Sequence, residues 1–203
     1  MTMTPEESPK KGLPWYVWVG FVVLGLGWGL NSYLNQPAKP PANSEAHAQD
    51  KATNARVKVL QQQLGEIGER PSATVDDYIK NTLDATPIID EARGLIPLQM
   101  ASVERVKREH PDDPKVAMVA DYALRMFQKD AELMSLMGNE VYCARALQAL
   151  PSAKQMAYYN ENVLPLKEKE RQAGREWAAL ANEASAKGVA WSDYVTKGAK
   201  ALQ

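Results

Sequence analysis

Apolar and polar residues are distributed unevenly along this chain, because one long stretch near its start carries no charge. No charged residue lies between Lys11 and Lys39, and the apolar part of this stretch covers residues 13–34. A helix needs roughly 20 apolar residues to cross the hydrocarbon core of a bilayer, which is about 30 Å thick. Residues 13–34 are therefore predicted to form a transmembrane helix, and no other stretch of the chain resembles it.

The flanks of this segment predict its orientation. Trp15 and Trp28 lie toward its two ends, where aromatic side chains sit at the headgroup levels of a membrane. Lys10 and Lys11 precede the segment closely, whereas Lys39 is alone on the far side. The positive-inside rule then makes residues 1–12 a short cytoplasmic tail and places the rest of the chain outside the cytoplasm, on the periplasmic side of a bacterial inner membrane.

A cleaved signal peptide is the competing interpretation of the same segment. Its apolar core would cover about 7–15 residues and end near a small-x-small cleavage site. The apolar run here is longer, and the tidy candidate site at residues 46–48 lies well beyond it, past three prolines. An uncleaved, single-pass signal anchor is therefore favoured.

Residues 35–43 separate the anchor from the remainder of the chain. Pro37, Pro40 and Pro41 favour an extended polyproline conformation, which acts as a semi-rigid spacer. Residues 44–203 then form one domain, and every signal in it is helical. The first helix is indicated by apolar residues spaced three and four apart: Val57, Leu60, Leu64 and Ile67.

Proline residues mark the predicted boundaries of the helices that follow. Pro71 ends the first helix, and Thr74 is placed to cap a second, short one. Thr86 and Pro87 are expected to begin a third helix, in which Pro97 should cause a kink or a break.

The strongest pattern is a pair of long heptad-like series joined at Pro151. The first series consists of Ala120, Leu124, Phe127, Ala131, Met134, Gly138 and Val141, and the second of Met156, Tyr159, Val163, Leu166, Glu170, Ala173, Trp177, Leu180 and Ala184. They predict an antiparallel helical hairpin of residues 113–150 and 151–187, with Phe127 and Trp177 buried between its arms. Pro165 should bend the second arm. The predicted fold is thus all-α: one transmembrane helix followed by an extracytoplasmic helical bundle that contains this hairpin.

The composition of the chain argues against a nucleic-acid partner and against disulfide stabilisation. The chain has 24 basic and 25 acidic side chains, so it lacks the basic surface that a nucleic-acid partner requires. A single cysteine, Cys143, rules out an intramolecular disulfide. The remaining partners are the lipid bilayer, another membrane or extracytoplasmic protein, or a second copy of the chain.

No residue pattern indicates catalysis, a cofactor or a metal. His47 and His110 lie far apart and have no Cys or carboxylate at a spacing typical of zinc ligands. The plentiful methionines, such as Met134 and Met137, are better explained as adaptable core residues than as copper(I) ligands. Cys143 is interpreted as a small buried hydrophobic residue. We therefore expect no enzyme activity.

The clustered charges also have structural explanations. Three acidic pairs, at residues 76–77, 90–91 and 112–113, are expected at helix starts, where carboxylates interact favourably with the helix dipole. The alternating charges of residues 167–171 are expected on a solvent-exposed helix face.

One motif inside the membrane segment suggests association. Gly25 and Gly29 are four residues apart, so they lie on one face of a helix and allow the backbone of another helix to approach closely. Glycine is also common in membrane helices without such a role. We predict transmembrane helix packing through Gly25 and Gly29.

These patterns together favour an accessory, assembly or scaffold subunit that acts by protein–protein interaction. The alternatives are a sensor-type bundle that binds a ligand and signals through a membrane partner, and a cell-wall hydrolase. An exposed apolar stripe would favour the interaction subunit. A dry cavity between helices would favour the sensor, and a carboxylate of raised pKa in a deep pocket would favour the hydrolase.

Overall fold

The computed structural model describes residues 44–191, 195–196 and 199–200. All regular structure in this part of the chain is helical, so the prediction of an all-α helical bundle is confirmed. Its elements are α1 (Ser44–Gly68), α2 (Val75–Glu109), α3 (Pro114–Ala149), α4 (Ser152–Tyr158), a π-helical turn (Tyr159–Val163) and α5 (Leu164–Ala186).

Within the described residues, no helix combines the length and apolar character that crossing a membrane requires. The segments predicted as cytoplasmic tail (1–12), transmembrane helix (13–34) and linker (35–43) lie outside the described residues. The membrane anchor therefore stays a prediction.

Helix α1 packs its predicted apolar stripe against α2. Val57, Leu60, Leu64 and Ile67 are all buried. The turn that follows is fixed by Asn81, whose side-chain amide donates a 2.8 Å hydrogen bond to the Pro71 carbonyl. Thr74 then caps α2 as predicted, because its hydroxyl accepts from the Asp77 amide while the Asp77 carboxylate accepts from the Thr74 amide.

The predicted division of α2 is wrong, because one helix runs from residue 75 to residue 109 through both prolines. Pro87 and Pro97 lie on the exposed side of α2, whereas Ile89, Ala92 and Ile96 are buried. A proline inside a helix costs about 3 kcal/mol, and a fully buried aliphatic side chain contributes about 1.5–3 kcal/mol. Since α2 packs against both α1 and α3, its buried side chains outweigh the two prolines.

The predicted helical hairpin is confirmed. Asp113 caps α3 by accepting hydrogen bonds of 2.9 and 3.1 Å from the amides of Lys115 and Val116, and Pro114 occupies the first turn. The second arm consists of α4, the π turn and α5, and it packs against α3. Phe127 and Trp177 are both 0% exposed, as expected for residues between the arms.

The π-helical turn lies directly before Pro165, where the sequence predicted a bend. Pro165 has no amide hydrogen to donate to the preceding turn. The Leu164 amide instead donates to the carbonyl of Tyr159, five residues back, which widens the helix by one residue. The widened turn thus lets α5 continue beyond the proline.

The C-terminal region returns to the bundle after α5. Gly188 follows the end of α5 and has a φ of +86°, a left-handed conformation that glycine adopts at no steric cost. Val189, Val195 and Ala199 are buried in the main core. Residues 195–196 and 199–200 are helical.

Candidate interaction groove and buried acids

An open groove lies between the outer faces of α2 and α3, with a volume of about 710 Å³. Its lining is mostly apolar or small, and it includes Ile96, Pro97, Met100, Ala131, Gly138 and Tyr142. Among the described residues, Tyr142 is the most exposed large hydrophobic side chain, at 74%, and it lines the α3 side of the groove. Ala131 was predicted to face the hairpin interior, but it is exposed and lines this groove.

Arg93 is the only charged residue among the described residues that line the groove. Its guanidinium lies directly over Gly138 and donates a 2.9 Å hydrogen bond to the Met134 carbonyl. A Cβ atom at position 138 would lie only 2.3 Å from Arg93 Nη2. Gly138 was expected to allow close helix approach, and in the structure it makes room for this side chain.

Arg93 differs from most arginines of the described chain in having no acidic partner. Arg56, Arg70 and Arg105, for example, each form a salt bridge with a carboxylate of another helix or turn. Arg93 and Arg145 form no salt bridge with any described residue. Both therefore retain a positive charge that no carboxylate of the described chain neutralises.

A second notable feature is a set of buried carboxyl groups between the arms of the hairpin. Asp130 and Glu140 on α3 are 0% exposed, and Glu170 on α5 is 4% exposed. None of their carboxyl oxygens forms a hydrogen bond of good geometry with a described residue. Burying an ionised carboxyl group without a partner is very costly, so such groups favour their protonated, neutral form.

Burial accordingly raises the pKa of all three groups. For Asp130, burial raises the pKa well above its usual value, and the neighbouring Trp177 indole only partly opposes this. For Glu140, burial raises the pKa to about 8, with Lys167 working in the opposite direction. The pKa of Glu170 is also raised well above its usual value, mainly by burial and secondly by the negative charge of the nearby Glu140.

Aromatic and basic side chains surround the Glu140–Glu170 pair. The rings of Tyr78 and Tyr159 pack edge to face, with their centres 5.2 Å apart. Lys167 Nζ lies 4.7 Å from the centre of the Tyr78 ring and 5.5 Å from that of Tyr159. The Tyr78 hydroxyl donates to the Glu140 backbone carbonyl at 3.4 Å, so it is not directed at either carboxylate.

Glu170 corrects the expectation that residues 167–171 form a solvated face. Glu168 and Arg171 of this run are exposed and paired with each other, but Glu170 points into the bundle. Its position in the series around Leu166, Ala173 and Trp177 already indicated burial. The apolar spacing of the sequence therefore indicated that Glu170 is buried, but the prediction gave more weight to the charge of its side chain.

The other acidic pairs have mixed outcomes. Asp77 and Asp113 cap helices, as expected. Asp90 and Glu91 were expected at a helix start, but they lie in the middle of α2, and Glu91 is paired with Arg56 of α1.

Among the other residues considered for chemistry, Cys143 and several methionines lie in the core of the described domain. Cys143 is buried, and burial raises the pKa of its thiol, which favours the protonated form. Met126, Met134 and Met137 are completely buried, as core residues should be. The described part of the chain contains no cluster of three His, Cys, Asp or Glu residues suited to a metal. Gly25 and Gly29 lie outside the described residues.

Comparison with known proteins adds no relative. No protein-family model, curated protein or solved structure matches this chain.

Proposed function

We propose that this protein is a single-pass, membrane-anchored accessory subunit that acts through protein–protein interaction and has no chemistry of its own. In this proposal, residues 13–34 anchor the chain and residues 44–203 present a helical surface on the extracytoplasmic side of the membrane. The partner is another membrane or extracytoplasmic protein, or a second copy of the chain.

The groove between α2 and α3 is the observation that supports this function. It is open, largely uncharged and lined in part by exposed apolar side chains, notably Tyr142 and Pro97. Exposed apolar patches on a soluble domain are typical of interaction sites, and an interhelical groove is suited to a helix of another protein. The buried carboxyl groups of Asp130, Glu140 and Glu170 are at most 4% exposed and do not line this groove, so the groove itself offers no carboxylate for hydrolysis.

Site-specific photo-crosslinking in cells tests the proposal. A photoreactive amino acid at Asn139, which lines the groove, should give a crosslinked species of discrete mass. The same substitution at Asn182, an exposed asparagine on α5, is the matched control and should give none. Tyr142→Ala should weaken the Asn139 crosslink. Equal crosslinking from both positions, or none from Asn139, would contradict the use of this groove.

The proposed topology is tested separately. By the positive-inside rule, Lys10 and Lys11 favour a cytoplasmic N-terminus, so protease should digest the domain in spheroplasts but not in intact cells. A domain that resists protease in spheroplasts would reverse the orientation.

A further inference from the structure

We infer that the groove between α2 and α3 binds an amphipathic helix whose apolar face carries acidic side chains at one end, where they meet Arg93 and Arg145. This inference rests on the proposed docking function and adds the chemistry of the partner. Two observations support it: the shape of the groove, and the position of two arginines that form no salt bridge with any described residue.

The dimensions of the groove match a short helix. Its lining on α3 runs from Ala131 to Tyr142. At 1.5 Å per residue, this stretch is about 16 Å long, which corresponds to about three helical turns. Its walls offer a helix small residues for close approach, Ala131 and Gly138, together with larger apolar contacts, Met100 and Tyr142.

The two unpaired arginines lie at the same end of the groove. Helices α2 and α3 are antiparallel neighbours, and Arg93 of α2 contacts α3 at Gly138, one turn before Tyr142. Arg145 follows Tyr142 by three residues, so it lies on the same face of α3. Met100 and Ala131 line the opposite end. The groove thus has a positive end and an uncharged end.

Among the arginines of the described chain, only Arg93 and Arg145 lack a carboxylate partner. Each of the others has a carboxylate within salt-bridge distance, including Arg108, Arg125, Arg171 and Arg175 on exposed surfaces. Asp90, which precedes Arg93 by three residues on α2, forms no salt bridge with it. Carboxylates from a partner are therefore the complementary groups for Arg93 and Arg145.

Arg93 is also held ready for such a partner. Its hydrogen bond to the Met134 carbonyl fixes the guanidinium over Gly138 while leaving other N–H groups to donate. A guanidinium binds a carboxylate through two parallel hydrogen bonds, and a side chain that is already ordered loses less entropy on binding. A three-turn helix buries less area than a standard protein–protein interface, so we expect a weak, readily reversible complex.

A peptide-display selection on the full-length protein in nanodiscs tests the inference. The library consists of 15-residue helices with fixed alanine and leucine positions on the apolar face and randomised residues at both ends of that face. Selection on the wild-type protein should enrich Asp and Glu at one end only. Selection on Arg93→Gln combined with Arg145→Gln should lose this enrichment. Arg108→Gln, which removes an exposed arginine of α2 outside the groove, is the matched control and should retain it.

The selected peptide and its Glu→Gln counterpart are then compared by fluorescence polarisation. The acidic peptide should bind wild type about 5- to 10-fold more tightly, and the ratio should fall to about 1 in the double variant and with increasing salt. Arg93→Lys, which keeps the charge but loses the paired geometry, should retain part of the ratio. Groove binders without acidic preference would overturn the inference and leave the docking function in place. Peptides insensitive to Tyr142→Ala, or no binders at all, would overturn both.

Discussion

At the residue scale, Gly138 and Arg93 form a matched pair that no pattern of apolar residues could reveal. The sequence predicted only that a small residue at position 138 allows close approach, since apolar periodicity identifies a helix face but not the side chain that covers it. In the structure, that neighbour is the guanidinium of Arg93 rather than an apolar side chain.

The energetic coupling of this pair can be measured. Gly→Ala inside a helix stabilises by about 1 kcal/mol when nothing else changes. In wild type, Gly138→Ala must displace Arg93 from the Met134 carbonyl, so this gain should be cancelled or reversed. In an Arg93→Ala background it should appear in full, as measured by urea unfolding of residues 44–203. Gly94→Ala, where a Cβ meets nothing within 4 Å, should give the same gain in both backgrounds. Equal gains at position 138 would show that the pair is not coupled.

Trp177 provides the sharpest test of the predicted hairpin core. It is completely buried between α3 and α5, so Trp177→Ala should lower the free energy of unfolding by about 3–5 kcal/mol. Tyr142→Ala, on the exposed edge of the groove, should change it by no more than about 0.5 kcal/mol. A loss below about 1 kcal/mol for Trp177→Ala would place this side chain at the surface instead.

At the element scale, the contact between α3 and α5 combines an apolar seam with carboxyl groups in core positions. The heptad spacing predicted its large residues Phe127 and Trp177 correctly, but it also included Ala131 and Gly138, which line the groove beside α2. It also contained Glu170, whose charge suggested a solvated face. Charge was the weaker signal here, because a carboxyl group that becomes neutral can be buried at a much lower cost than an ionised one.

The buried carboxyl groups make stability depend on pH in a defined direction. The pKa of Glu140 is about 8 in the folded protein, well above the value of about 4.3 for an unperturbed Glu. Between these two values the unfolded state releases a proton that the folded state keeps. The free energy of unfolding should therefore fall as pH rises from about 4.5 to about 8, with a slope of up to about 1.4 kcal/mol per pH unit for each such group.

Glu140→Gln should remove the contribution of this residue, flatten the slope and raise stability at pH 8 by about 1–3 kcal/mol. Chemical unfolding of residues 44–203 at several pH values measures this effect. Glu161→Gln, at an exposed position on the π turn, is the control and should keep the wild-type slope. An unchanged slope in Glu140→Gln would mean that Glu140 is ionised in the folded protein.

At the scale of the whole molecule, the sequence predicted the helical domain well and the interaction surface poorly. Caps at Thr74 and Asp113 and the two apolar series located the helices, because these signals are local. The continuous α2 was missed because tertiary packing on both of its sides outweighs Pro87 and Pro97. The groove depends on which residues of two distant segments meet, and local patterns carry no such information.

We expect the predicted membrane anchor to provide a second route to association, independent of the groove. In lipid no hydrophobic force drives helices together, so association depends on close packing, and glycine allows the closest backbone approach. Gly29→Ile should therefore weaken self-association of residues 13–34 in a membrane reporter assay. Gly27→Ile adds the same side chain on another face of the helix and should have less effect. The full-length protein should also be more oligomeric than residues 44–203 alone. Equal association of the wild-type and Gly29→Ile segments would show that Gly25 and Gly29 do not mediate helix packing. Any oligomer would then have to form through the helical domain, and Tyr142→Ala would test whether the groove is involved.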